Sequence, residues 1–129
     1  MTNYLTIIAV ASGGALGALS RMFLNGFINR NIAHIFPFGT LGVNLLGSLL
    51  IGIVFAFLHL NSTLSPHIKS FIVTGFLGAL TTYSTFAIES FFLIEAGEYF
   101  HAVSNMALSL FGTIFMASIG YLTVLHLAK

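Results

Sequence analysis

The chain contains no cysteine and very few charges. Without cysteine there is no disulfide framework, no thiolate metal site and no thiol nucleophile, and the redox compartment leaves no trace. Charged residues make up 5 % of the 129 residues, against about a quarter in an ordinary soluble domain. The four basic side chains are Arg21, Arg30, Lys69 and Lys129, and the three acidic ones are Glu89, Glu95 and Glu98. So few charges do not cover the surface of a soluble globule, which excludes a soluble enzyme, a nucleic-acid binder and a disordered tail. The net charge of +1 supplies no basic patch for phosphates. The first twenty residues hold no Lys or Arg, so the positive start of a cleaved signal peptide is missing and the first apolar stretch is expected to stay as a span.

What the chain does have is apolar bulk: 57 % hydrophobic residues and a mean hydropathy of +1.03. This composition reads as an all-α integral membrane protein. A helix needs roughly 20 apolar residues to cross the hydrocarbon core. Charges and turn residues divide the chain into four such stretches, at about 4–27, 38–60, 66–95 and 102–127. Pro37 opens the second, where its missing N–H costs nothing, and Asn61-Ser62-Thr63 closes it. The expectation is one domain, 1–129, that lies almost wholly in the lipid bilayer.

Four spans place both termini on one side. That side, with the second loop, carries Lys69 and Lys129, and the other carries Arg30 with Arg21 nearby. Orientation follows the Lys/Arg bias of the loops, and a count of two against two gives none. Either the bias is too weak to read, or both orientations insert and an antiparallel homodimer forms.

Polar residues inside spans must find partners or line a cavity. Thr40, Asn44 and Ser48 are spaced i, i+4 on one face of the second span, and Asn105, Ser109 and Thr113 repeat the pattern on the fourth. A single Ser or Thr is ordinary interhelical glue, but two aligned stripes point toward a lined pathway. Gly13, Gly17 and Arg21 share a face of the first span. The glycines suit close helix approach, and Arg21 either snorkels to the interface or draws anions into a vestibule. The third span holds Gly75, Gly78 and five consecutive hydroxyl residues, Thr81-Thr82-Tyr83-Ser84-Thr85. These residues lower helix propensity, so the spacing predicts a helix broken near the midplane, where freed carbonyls can hold ions. Tyr83 and Phe86 follow at i, i+3, with Glu89 one turn later.

Four segments resemble the Fluc, or CrcB, family of small bacterial fluoride channels. They are Gly13-Gly14-Ala15-Leu16-Gly17-Ala18-Leu19-Ser20-Arg21, Pro37-Phe38-Gly39-Thr40-Leu41-Gly42-Val43-Asn44-Leu45-Leu46-Gly47, the run from Gly75 to Phe86 with Glu89, and Ser109 with Gly112. The resemblance spans the whole chain in order, and the third segment is the most specific. It implies an antiparallel, dual-topology homodimer with two fluoride pathways and one central sodium ion (Na+), held by the backbone carbonyls of Gly78 and Thr81. It implies that Asn44 is a pore residue, that Tyr83 and Phe86 contact fluoride, and that Ser109 and Thr113 form a polar track. Thr40 and Ser84 join the pore candidates, and Arg21, Glu89 and Asn105 are vestibule or supporting residues. The family usually has Phe where Tyr83 stands and often Tyr where Asn105 stands, so both positions bear on conductance. The function implied is passive efflux of cytoplasmic fluoride through the bacterial inner membrane, which confers fluoride resistance.

Two rivals remain. A proton-coupled exporter of small cations needs a titrating acid at membrane depth, which only Glu89 offers. A scaffold without a selective site predicts that Asn44 and Phe86 tolerate apolar replacement. An enzyme is not expected, because no two of the five histidines sit at i, i+3 or i+4 as a helical metal pair.

Overall fold

The computed structural model describes residues 3–32, 34–61 and 63–129; Ala33 and Ser62, the latter from the loop expected after the second span, lie outside the described residues. The described chain is helical throughout, with α1 at Tyr4–Asn31 and α2 at Phe38–Leu60. Then come α3 (Pro66–Lys69), a stretch of wide π-helical turns at Ser70–Leu77, α4 (Gly78–Leu80), α5 (Tyr83–Glu95) and α6 (Tyr99–Leu127). Four segments are long and apolar enough to cross a membrane: Tyr4–Asn31, Phe38–Leu60, Pro66–Glu95 and Tyr99–Leu127.

The first and last helices outrun their apolar stretches. α1 continues through Asn31 because its asparagines bond within the helix: Asn29 Nδ2 donates to Asn25 Oδ1 at 2.6 Å and Asn31 Nδ2 to the Phe27 carbonyl at 2.7 Å. α6 starts at Tyr99, three residues before the expected Ala102, straight after the turn that ends α5. That turn is a Schellman closure. Glu98 N–H donates to Leu93 O and Gly97 N–H to Ile94 O, with Gly97 at φ +76°, a conformation open to glycine. At the start of α2, Pro37 makes no side-chain cap. Asn29 of α1 reaches across and accepts from Gly39 N–H at 3.1 Å.

Glycine sets how closely the spans approach. A methyl group at Gly13 would strike the Phe71 carbonyl oxygen, and one at Gly75 would lie 2.8 Å from Val10 O. Here α1 and the π-helical stretch touch backbone to backbone. Gly52 and Gly120 play the same part between α2 and α6, against Ala117 O and Leu49 O. The innermost apolar cluster is Val43, Leu77 and Leu80, flanked by Leu24, Ile28 and Leu50. Large apolar side chains such as Phe23, Phe27, Phe111 and Phe115 stay exposed on the outside, as a helix facing lipid requires.

Candidate functional site

The third span changes conformation at Thr81 and Thr82. Thr81 has φ −82°, ψ 153°, and Thr82 has φ −147°, ψ 116°, both extended. In a continued helix Thr82 N–H would donate to Gly78 O. Instead it donates to Asn44 Oδ1 at 2.8 Å, while Asn44 Nδ2 donates to Thr82 O at 3.0 Å. One side chain on α2 therefore satisfies both backbone polar groups of Thr82. Thr82 Oγ1 in turn caps α5, accepting from Thr85 N–H at 3.3 Å. The Gly78 and Thr81 carbonyls are thereby relieved of their usual helical donors, which suits them to a hard cation. α5 opens here, with the positive end of its dipole beside the buried Thr82.

A cavity of about 810 Å³ lies against this junction. Asn44 and Ser48 line it from α2, Gly78 and Thr81 from the junction, Tyr83 and Phe86 from α5, and Ser109 and Thr113 from α6. Among the described residues no charged side chain lines it. The Tyr83 and Phe86 rings lie 5.3 Å apart at an interplanar angle of 57°. Phe86 is half-buried, whereas Tyr83 is 80 % exposed. Thr113 Oγ1 donates to the Ser109 carbonyl at 2.5 Å. Ser109 Oγ is buried and has no hydrogen-bond partner among the described residues.

Five residues singled out in the sequence lie off this cavity. Thr40 is buried and donates from Oγ1 to Glu89 Oε1 at 2.7 Å. Glu89 lines a separate cavity of about 470 Å³, with Asn29, His34 and Phe92. The stripe of α2 thus divides: Asn44 and Ser48 face the large cavity, and Thr40, one turn earlier, faces Glu89. Ser84 is exposed beside the α5 cap, its Oγ 3.4 Å from Thr82 Oγ1. Arg21 is half-buried on α1 and lines neither cavity. Asn105 is 1 % exposed and sits behind the cavity wall, its Nδ2 donating to Ser90 Oγ at 3.0 Å. Ser90, which does line the large cavity, was not singled out; its only mark in the sequence is the four-residue spacing from Phe86.

The family model described as "CrcB-like protein, Camphor Resistance (CrcB)" matches residues 8–121. Among curated relatives, a protein of Sulfurimonas denitrificans named "Fluoride-specific ion channel FluC" is 50 % identical over 119 residues, covering 92 % of each chain. Similar proteins of the same name occur in Nautilia profundicola, at 43 % identity over 90 % of this chain and 91 % of the relative, and in Campylobacter lari, at 45 % identity over 91 % and 95 %.

Proposed function

The chain belongs to the CrcB-like family, and we propose that it is a multi-pass channel of the bacterial inner membrane that lets cytoplasmic fluoride leave passively. The observation that carries this reading is the uncharged cavity with a buried, unpartnered Ser109 hydroxyl in its wall. Fluoride is small and tightly hydrated, so a selective path replaces its water with hydrogen-bond donors. Ser109 Oγ offers one, and Asn44 keeps one of its two amide hydrogens free of Thr82. The edges of the Phe86 and Tyr83 rings carry partial positive charge, and the α5 dipole favours an anion at its start. No cationic side chain among the described lining residues would trap the ion, and conduction requires that the ion can leave.

The finer architecture belongs to the same proposal: two pathways in an antiparallel homodimer. It draws support from the balanced Lys/Arg count and from Tyr83, whose phenol stands exposed at a depth where a hydroxyl needs a partner. A second copy laid over the open side of the cavity covers it. In such a dimer, with the junctions near the midplane, the Gly78 and Thr81 carbonyls would meet at the centre. A sodium ion held there would supply positive charge that ties the two junctions together. The exporter reading finds no footing, because Glu89 lies outside the cavity and is bonded to Thr40.

The test is fluoride release from liposomes containing the purified protein, read with a fluoride electrode and repeated with chloride. Fast fluoride efflux, negligible chloride efflux and loss of both rate and selectivity in Phe86→Ile are expected. Well-folded protein that releases no fluoride overturns the proposal.

A further inference from the structure

Hydroxyl side chains inside the helices of this chain generally return their proton to their own backbone. Ser12 Oγ donates to Ile8 O at 2.7 Å, Ser118 Oγ to Ile114 O at 2.8 Å and Thr113 Oγ1 to Ser109 O at 2.5 Å. This back-bonding to the carbonyl four residues earlier is the default for Ser and Thr in a helix. Ser90 departs from it. It lies mid-way along α5, is 4 % exposed and lines the large cavity. Its oxygen accepts from Asn105 Nδ2 at 3.0 Å, and its own proton has no acceptor among the described residues.

We propose that Ser90 is a further fluoride-binding residue of the pathway, and that Asn105 is the positioning residue that keeps its hydroxyl turned toward the ion. This rests on the channel reading above and adds to it a donor that neither the family match nor the names of the relatives assign. A hydroxyl has one donor and two acceptor sites. With the Asn105 amide occupying an acceptor site, the Ser90 proton is left to the cavity side. The donation also polarises the hydroxyl and makes it a stronger donor. Ser90 stands one turn beyond Phe86 on α5, and Asn105 one turn before Ser109 on α6. One turn is about 5.4 Å, so Ser90 extends the row of donors toward the α5–α6 end of the cavity. An anion leaving the Phe86 ring edge there meets a second hydroxyl rather than bare hydrocarbon.

The experiment is fluoride efflux from liposomes with five variants, each checked for monodispersity by gel filtration. Wild-type efflux establishes the channel reading independently, so the two readings fail separately. Ser90→Ala is expected to slow fluoride efflux about tenfold, and Ser90→Thr, which keeps the hydroxyl, to stay within about threefold of wild type. If Ser90→Ala does not fold, Ser90→Cys keeps the volume with a weak donor and carries the same expected loss. Asn105→Ala is expected to slow efflux in the Ser90 background and to change nothing further in a Ser90→Ala background. A Ser90→Ala channel running at the wild-type rate overturns the proposal. So does a loss that Ser90→Thr fails to rescue, or a loss from Asn105→Ala that persists undiminished beside Ser90→Ala, since those mark packing rather than donation.

Discussion

Replacing Asn44 by leucine tests the junction most sharply. The two side chains are similar in size, so the substitution removes polarity more than volume. It deletes both bonds to Thr82, at 2.8 and 3.0 Å, and leaves a residue only 7 % exposed with an unpaired N–H and an unpaired C=O. A buried group stranded in this way costs about 1–3 kcal/mol, so the pair should cost about 2–6 kcal/mol. Interhelical hydrogen bonds in membranes average only about 0.6 kcal/mol, because the freed groups find other partners. Thr82 has no such choice: to recover Gly78 O, the extended Thr81 would have to turn helical and move the start of α5. The larger figure therefore wins. The assay is reversible unfolding in mixed micelles by titration with a denaturing detergent. Ser48→Ala, one turn along α2 on the same cavity, is the control and should fall within about 0.5 kcal/mol of wild type. A cost for Asn44→Leu at or below about 1.2 kcal/mol, twice the membrane average for one bond, would refute the reasoning, because the Thr82 groups would then have found other partners.

Gly75→Ala would press a methyl against Val10 O at 2.8 Å, so overpacking should cost about 1–3 kcal/mol in the same unfolding titration. Gly14→Ala meets nothing within 4 Å and should stabilise by about 0.5–1 kcal/mol through helix propensity. Ser109→Ala removes a hydroxyl without any protein partner; it should slow fluoride efflux severalfold and leave the unfolding midpoint unchanged. If two copies form the proposed dimer around sodium, replacing sodium with a bulky organic cation in every buffer should lower the detergent concentration at which that dimer dissociates. Analytical ultracentrifugation reads that shift, and an unchanged value counts against a sodium ion on the Gly78 and Thr81 carbonyls.

The four spans were legible because lipid leaves no alternative to long apolar helices, and hydropathy reports that directly. Much of the cavity was legible through the i, i+4 stripes: Asn44 with Ser48, and Ser109 with Thr113, line it together. The stripes misled at their ends. A spacing of four drifts around the helix by about 40° per step, which turned Thr40 to Glu89 and let Asn105 slip behind the wall to Ser90. Ser84 went astray for a different reason: in the first turn of α5 it lies beside the cap, away from the cavity. The pair of hydrogen bonds between Asn44 and Thr82 was beyond the sequence, since it depends on two elements 38 residues apart meeting in register.

The π-helical stretch Ser70–Leu77 acts as a phase adjuster for everything after it. A π turn closes on i→i+5 rather than i→i+4 and so holds one more residue than an α turn. Remove one residue there and the chain beyond turns by about 100° and retreats by about 1.5 Å. Phe86 and Ser90 would swing off the cavity although no residue lining it at those positions had changed. The azimuth of the wall at Phe86 and Ser90 is thus written nine to twenty residues upstream, in a segment clamped against α1 by Gly13 and Gly75. Length is therefore free to vary in the loops between spans, but not in this segment, where a single inserted or deleted residue would act like a substitution of the whole wall.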